Sequence, residues 1–212
     1  EGLVRMCACR GTAGFAHVSC LAEQAKILVA EAEENNLGEK AKMTRWDRWN
    51  TCSLCEQRYH GVVHHALGWA CWKTYVGRPE ADQVRGMAMG VLGGGLHEAD
   101  QHEDALSVQE AELSRYRRLG APENSILDTQ SNIAGTYRRL GREEEALGIY
   151  RDVQLGMTRL YGEEHQSTLR QANRYAACLL SLRRFAEVKS LLRRTMPVAR
   201  RVLGESDKFT LL

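Results

Sequence analysis

The chain has 212 residues, a formal net charge of +2, 43% hydrophobic residues and 26% charged residues. This balance argues against a disordered chain, and it supplies no strong field to draw the chain onto nucleic acid or an anionic membrane. The longest apolar-rich run, Val62 to Val76, contains His64, His65 and Lys73 and falls short of the roughly 18–20 residues of a membrane span. No secretory signal opens the chain; a start at Glu1 and an end at Phe209-Thr210-Leu211-Leu212, partway into a repeat, lead us to expect that the natural protein extends beyond both ends.

Seven cysteines are unevenly placed: Cys7, Cys9, Cys20, Cys52, Cys55 and Cys71 lie in the first third, and only Cys178 lies beyond. Without a secretory context, clustered cysteines beside histidines read as metal ligands before disulfides, which places the chain in a reducing, cytoplasmic setting. Cys71 and Cys178 read as buried thiols within apolar helices. The other five fall into an ordered series of ligand pairs with one histidine: Cys7-x-Cys9, His17-x-x-Cys20 and Cys52-x-x-Cys55. Tetrahedral zinc takes four such ligands, and a two-residue gap lets one tight turn aim both at one ion.

The string from Cys7 through Gly11-Thr12-Ala13-Gly14-Phe15 to His17-x-x-Cys20-Leu21 resembles the middle of the RING-CH zinc finger, the variant RING of membrane-associated ubiquitin ligases. The resemblance covers about residues 1–60. It implies two zinc ions in a cross-brace. Cys7, Cys9, Cys52 and Cys55 would share one ion. His17 and Cys20 would share the other with a cysteine pair that would precede Glu1. His60, His64 or His65 could substitute for that pair, although these three, like His97, His102 and His165, read more simply as surface or core residues. A closed structural site has no position for a reacting water, so the zinc would stabilise this segment of few large apolar residues.

The implied activity is ubiquitin transfer without a nucleophile of the protein's own: such a module positions a ubiquitin-conjugating enzyme. The family usually carries a Trp four residues after its sixth ligand, where this chain has Gln24. Trp46 and Trp49, just before Cys52, either offer a displaced docking surface or pack against the zinc knuckle. Acidic Glu31, Glu33 and Glu34 fall in a helix expected over 20–36. A largely buried helix is expected over 62–76, stopped by Gly77-Arg78-Pro79, so the chain divides near residue 80.

Beyond that point the sequence repeats. Leu140-Gly141-Arg142-Glu143-Glu144-Glu145-Ala146 aligns with Leu182-Arg183-Arg184-Phe185-Ala186-Glu187-Val188 at an offset of 42 residues. Leu160-Tyr161-Gly162-Glu163 aligns with Val202-Leu203-Gly204-Glu205 at the same offset, as do Ala134 with Ala176 and Thr168-Leu169 with Thr210-Leu211. An earlier copy, holding Ala105 and Gly120, contains a one-residue slip. This period marks stacked helix pairs, each too small to bury its own apolar face. Helix A is expected over 125–140 and 167–182, and helix B over 143–160 and 185–203. Gly141 ends a helix A where a left-handed cap is wanted. Phe209-Thr210-Leu211-Leu212 read as the opening of a further helix A.

The wording Asn132-Ile133-Ala134, Tyr137, Leu140-Gly141-Arg142-Glu143-Glu144-Glu145-Ala146-Leu147 and Tyr150-Arg151 resembles the tetratricopeptide repeats of kinesin light chains. The resemblance covers about residues 83–212. It implies a groove lined by the A helices that holds an extended peptide, with Asn132, Arg138, Arg139, Arg170 and Asn173 at or beside the matching positions. A solvated helix face explains the same residues. Arg193, Arg194, Arg200 and Arg201 form a basic edge explained by solvation and ion pairs. Gly93-Gly94-Gly95 has no following Gly-Lys-Ser/Thr, so it is read as loosening the first helix A.

The expectation is therefore a mainly α protein: a small zinc-binding, cross-brace-like module over 1–60, a connecting helix over 61–80, and about three tetratricopeptide-like repeats over 81–212 forming an α-solenoid. Two functions stay open. One is a zinc-binding adaptor acting as a RING-type ubiquitin ligase, its repeats choosing the substrate. The other is a non-catalytic helical-repeat scaffold whose zinc finger is structural. The expected partners are proteins or peptides, with neither nucleic acid nor, in this fragment, membrane.

Overall fold

The computed structural model describes residues 2–4 and 15–204. Among them the fold is helical: α1 Val18–Glu34, α2 Glu39–Trp46 with a 3-10 turn Asp47–Trp49, α3 Gly61–Tyr75, α4 Gln83–Glu98, α5 His102–Arg118, α6 Glu123–Arg139, α7 Glu143–Tyr161, α8 Gln166–Ser181 and α9 Phe185–Leu203. The β-structure among the described residues is two isolated antiparallel bridges, Val4 with Ala16 and Thr51 with Arg58. No helix of the described residues is long and apolar enough to cross a membrane. The chain separates into two compact units, residues 1–112 and 113–212.

In the first unit α3 is apolar around most of its circumference and packs on two sides. Val63, Leu67, Cys71 and Tyr75 join Ala25 and Val29 of α1, Trp46, Trp49 and Tyr59 in one core with Ala88 and Val91 of α4. Trp46 and Trp49 lie 5.6 and 6.0 Å from the Tyr75 ring, centroid to centroid. The start of α4 is tied back to α1 by Arg78, which donates two 2.7 Å hydrogen bonds to the Glu33 carboxylate and lies over Tyr75. Asp82 caps α4 by accepting from the Val84 N–H at 2.8 Å.

The glycine-rich stretch of α4 corrects one expectation. α4 runs without interruption from Gln83 to Glu98, so Gly93-Gly94-Gly95 does not loosen it. These residues instead let neighbouring backbones approach. A Cβ on Gly95 would lie 2.9 Å from the His64 carbonyl oxygen, and one on Gly68 of α3 would lie 3.1 Å from the Val91 carbonyl oxygen. Gly93 faces Gln109 of α5. Glycine here exchanges helix propensity for close helix packing.

The second unit stacks α6 on α7, α7 on α8 and α8 on α9. Small buried Ala134, Ala146, Ala172 and Ala176 let these helices meet around Tyr150, Leu179, Val188 and Leu191. The repeat is written most clearly in its turns. α4, α6 and α8 each end in a residue of left-handed conformation: Asp100 (φ 58°), Gly141 (φ 74°) and Arg183 (φ 57°). Each turn carries the same two bonds, as in Arg142 N–H to Tyr137 O at 2.9 Å and Gly141 N–H to Arg138 O at 3.1 Å. This is the Schellman closure of a helix end. Asp100 and Gly141 are 41 apart, whereas Gly120 and Gly162 are 42 apart, which locates the one-residue slip between Asp100 and Gly120. Phe209 to Leu212 lie outside the described residues.

Candidate functional site

The N-terminal donors come in two local pairs. His17 is the residue before α1, and its Nδ1 lies 3.9 Å from Cys20 Sγ, both side chains exposed. Two ligands of one tetrahedral zinc, at about 2.0 and 2.3 Å from it, would stand roughly 3.6 Å apart, so this pair needs little adjustment. Cys52 and Cys55 sit in a tight reversal closed by the Thr51–Arg58 bridge. The Cys52 N–H donates to Gln57 O, the Glu56 N–H donates to Cys52 O, and Glu56 takes φ 57° to complete the turn. Within it the Leu54 N–H points at Cys52 Sγ from 3.4 Å, a contact that suits a thiolate acceptor. Cys7 and Cys9 lie outside the described residues. Among the described residues no three His, Cys, Asp or Glu side chains gather as a metal site.

The other candidates around this module have other work. His64 is 2% exposed, with Glu98 Oε1 3.2 Å from Nδ1 and Asn50 Oδ1 3.3 Å from Nε2. Burial holds its imidazole below the usual range against the pull of Glu98. His65 accepts a hydrogen bond from Trp69 Nε1 at 3.1 Å. His64 is thus engaged with both neighbours of its ring and His65 with Trp69, and His60 is exposed before α3. Trp46 and Trp49 are 6% and 0% exposed, so of their two readings packing holds and the displaced docking surface does not. Gln24 is exposed on α1.

In the second unit the five groove candidates separate. Asn132 and Arg139 are exposed on α6; Arg170 is exposed and Asn173 half-buried on α8. Arg138 instead turns inward, its Nε 3.4 Å from Glu143 Oε2. Glu143 also accepts from Ser181 Oγ at 2.8 Å and lies 3.6 Å from Cys178 Sγ. Burial and this carboxylate push the Cys178 thiol up to about 12. Arg138 thus ties α6, α7 and α8 together rather than facing a ligand.

A polar linkage between the two A helices escaped the sequence reading. Ser131 Oγ, buried on α6, donates to Gln171 Oε1 of α8 at 2.7 Å, and Arg174 Nη1 donates to Ser131 Oγ at 2.8 Å. The bonds fix an exposed guanidinium above a buried polar floor. Asp128 lies one turn earlier on α6, its carboxyl raised by burial and drawn back by Arg174. The available signal was the repeat register, in which Arg174 is the 42-residue counterpart of Asn132 and Asn173 that of Ser131.

Comparisons with known proteins agree with this architecture. The tetratricopeptide repeat family model matches residues 125–201. No curated protein matches the chain. Among solved structures, the nearly identical TPR-like repeats of a Podosopora anserina protein described as a kinesin light chain superpose with a TM-score of 0.59 at 15% identity, over 92% of this chain and 82% of that one. BtubC (BKLC) from P. vanneervenii gives 0.53 at 16% identity, over 92% of this chain and 62% of that one. A Rap protein complexed with competence and sporulation factor gives 0.54 at 13% identity, over 92% of this chain and half of the Rap chain. The chain therefore spans less than two thirds of two of these relatives. At these identities the likeness is one of fold: stacked tetratricopeptide-type helix pairs of the kind found in kinesin light chains.

Proposed function

We propose that this chain is a protein-interaction scaffold that holds an extended segment of a partner protein against α6 and α8. The observation that carries this reading is the Ser131–Gln171–Arg174 linkage. Ordering a long cationic side chain costs entropy on binding, and a guanidinium already fixed has met part of that cost. Exposed Asn132 and half-buried Asn173 lie beside it on the same two helices and can bond the amides of an extended chain. That tetratricopeptide folds bind other proteins, and that the Rap relative was solved with a bound factor, both favour this use.

The test begins with peptides selected from a random library against the 212-residue chain. Arg174→Glu should weaken the selected peptide at least about ten-fold, and Asn132→Ala by about two- to ten-fold, with circular dichroism unchanged. Equal binding to wild type and to Arg174→Glu would remove the assignment.

We also propose that the N-terminal module is a structural zinc site, with Cys7, Cys9, Cys52 and Cys55 as one ligand set and His17 and Cys20 as half of another. The His17–Cys20 separation and the Leu54 N–H aimed at Cys52 Sγ support it. Zinc bound there would supply folding energy to a segment with little core of its own. Zinc per chain, measured beside Cys52→Ser, tests this: about one ion, lost in the variant, is the expected result. Ubiquitin transfer remains an implication of the resemblance alone. With Trp46 and Trp49 buried and Gln24 in place of the usual Trp, the scaffold reading is preferred, and it expects no acceleration of ubiquitin discharge from a conjugating enzyme.

A further inference from the structure

The small net charge of the chain conceals an uneven division. Residues 113–212 carry 18 Lys and Arg against 11 Asp and Glu, an excess of +7, whereas residues 1–112 carry 11 against 16. Much of the excess gathers on α9 and the turn before it, where residues 183–203 hold seven cations and one carboxylate, Glu187. Arg184 is paired with Glu187 and Arg201 with Glu164. Arg183, Lys189, Arg193, Arg194 and Arg200 are exposed and have no ion-pair partner among the described residues. On a helix of 3.6 residues per turn, Lys189, Arg193 and Arg200 fall within about 40° of one another, in a row about 16 Å long. Arg194 and Arg201 form a second row roughly 110° round the helix. The ridge between the rows carries exposed Ala186, Ser190 and Pro197. The opposite face of α9 is buried through Val188, Leu191 and Ala199.

We propose that this ridge of α9 is a docking surface for duplex nucleic acid, held through its phosphates without reading of sequence. A duplex presents one charge about every 1.7 Å of its axis, and cations that neutralise those charges release condensed counterions. A rigid helix carrying cations in straight rows meets such a rod with no backbone left to order. The small residues between the rows admit close approach, and they offer neither a guanidinium nor an amide to read base edges. An acidic protein segment fits less well. Protein interfaces rest on aromatic and apolar anchors at their centre, and this ridge has none between its cations. An anionic membrane also fits less well, because the apolar face of α9 that would enter it is already buried. The expectation of no nucleic-acid partner came from the whole-chain charge, which averages two units of opposite sign.

The probe is a fluorescein-labelled duplex DNA of mixed sequence and about 20 base pairs, titrated with the 212-residue chain at about 50 to 200 mM salt and read by anisotropy. The expected Kd is on the order of 1–10 µM at the low-salt end and the same for a shuffled sequence. Log affinity should fall against log salt with a slope of roughly −4, the value for about four or five phosphate contacts. Lys189→Gln, Arg193→Gln and Arg200→Gln together should weaken binding at least about ten-fold and bring the slope to roughly −1 to −2, with circular dichroism unchanged. If the triple variant fails to fold, each single substitution should reduce the slope by about one. No binding at the low-salt end, or a slope unmoved by these substitutions, would overturn the proposal. Equal competition by poly-glutamate at the same charge concentration would also overturn it, and would mark a surface for acidic protein segments. So would tighter binding to vesicles of equal parts phosphatidylserine and phosphatidylcholine, which would mark a membrane surface.

Discussion

The backbone of Gly95 in α4 passes so close to His64 in α3 that a Cβ on Gly95 would stand 2.9 Å from the His64 carbonyl oxygen. No flexible side chain can give way there, because the facing atoms are main chain. Gly95→Ala should therefore cost about 1–3 kcal/mol despite the better helix propensity of alanine. Gly148 in α7 is the internal control: nothing lies within 4 Å of its added Cβ, so Gly148→Ala should gain about 0.5–1 kcal/mol. Urea unfolding of both variants checks the pair.

The helix-ending positions supply a second test. Gly141 and Arg183 occupy the same turn one repeat apart, both left-handed. An arginine there bears a cost that glycine does not. Arg183→Gly should raise stability by about 0.5–1 kcal/mol, and Gly141→Arg should lower it by about 1 kcal/mol. Thermal melts at fixed protein concentration read both changes.

Arg78 and Glu33 give the first unit a pH dependence. The hydrogen bonds from Arg78 hold the Glu33 carboxyl below its ordinary range, against a smaller opposing effect of burial. A depressed carboxyl stabilises the fold fully above its unfolded pKa, about 4–5, and loses that contribution as pH falls through the lower folded value. Both side chains are about a third exposed, so the contribution is screened to roughly 1 kcal/mol. Arg78→Ala should remove it at pH 7 and flatten the stability profile of the first unit below pH 5, measured by urea unfolding across about pH 3–7.

Thiol labelling separates the cysteines by environment. Cys71 and Cys178 are 0% exposed, and burial pushes both thiols up. Neither should react with iodoacetamide at pH 7.5 until the chain unfolds, whereas exposed Cys20, left with His17 as only half a ligand set, should react at once. Mass spectrometry after brief labelling reads the pattern; early modification of Cys178 would show that its bond to Glu143 is not maintained.

Much of the helical stack was legible because turns and small residues recur at a fixed interval. Gly141 stands at a left-handed helix end, and the alanines at 134 and 176 stand at the same close helix contact one repeat apart. The glycine run of α4 misled because glycine has two opposite uses, breaking a helix or admitting a neighbour, and only the packing partner His64 decides between them. Arg138 misled for a related reason. A basic residue on an A helix reads as groove surface until Glu143 of the next helix is seen to hold it. Ser131 and Gln171 were passed over because a short hydroxyl and an amide look unremarkable singly; their meaning lies in a contact across 40 residues.

The most direct measurement is hydrogen exchange on the 212-residue chain with and without a selected peptide, read at peptide-level resolution by mass spectrometry. The scaffold account expects slowed exchange in α6 and α8, around Asn132 and Arg174, with little change in α7 and α9. Protection confined to α7 and α9, or to the first unit, would contradict it.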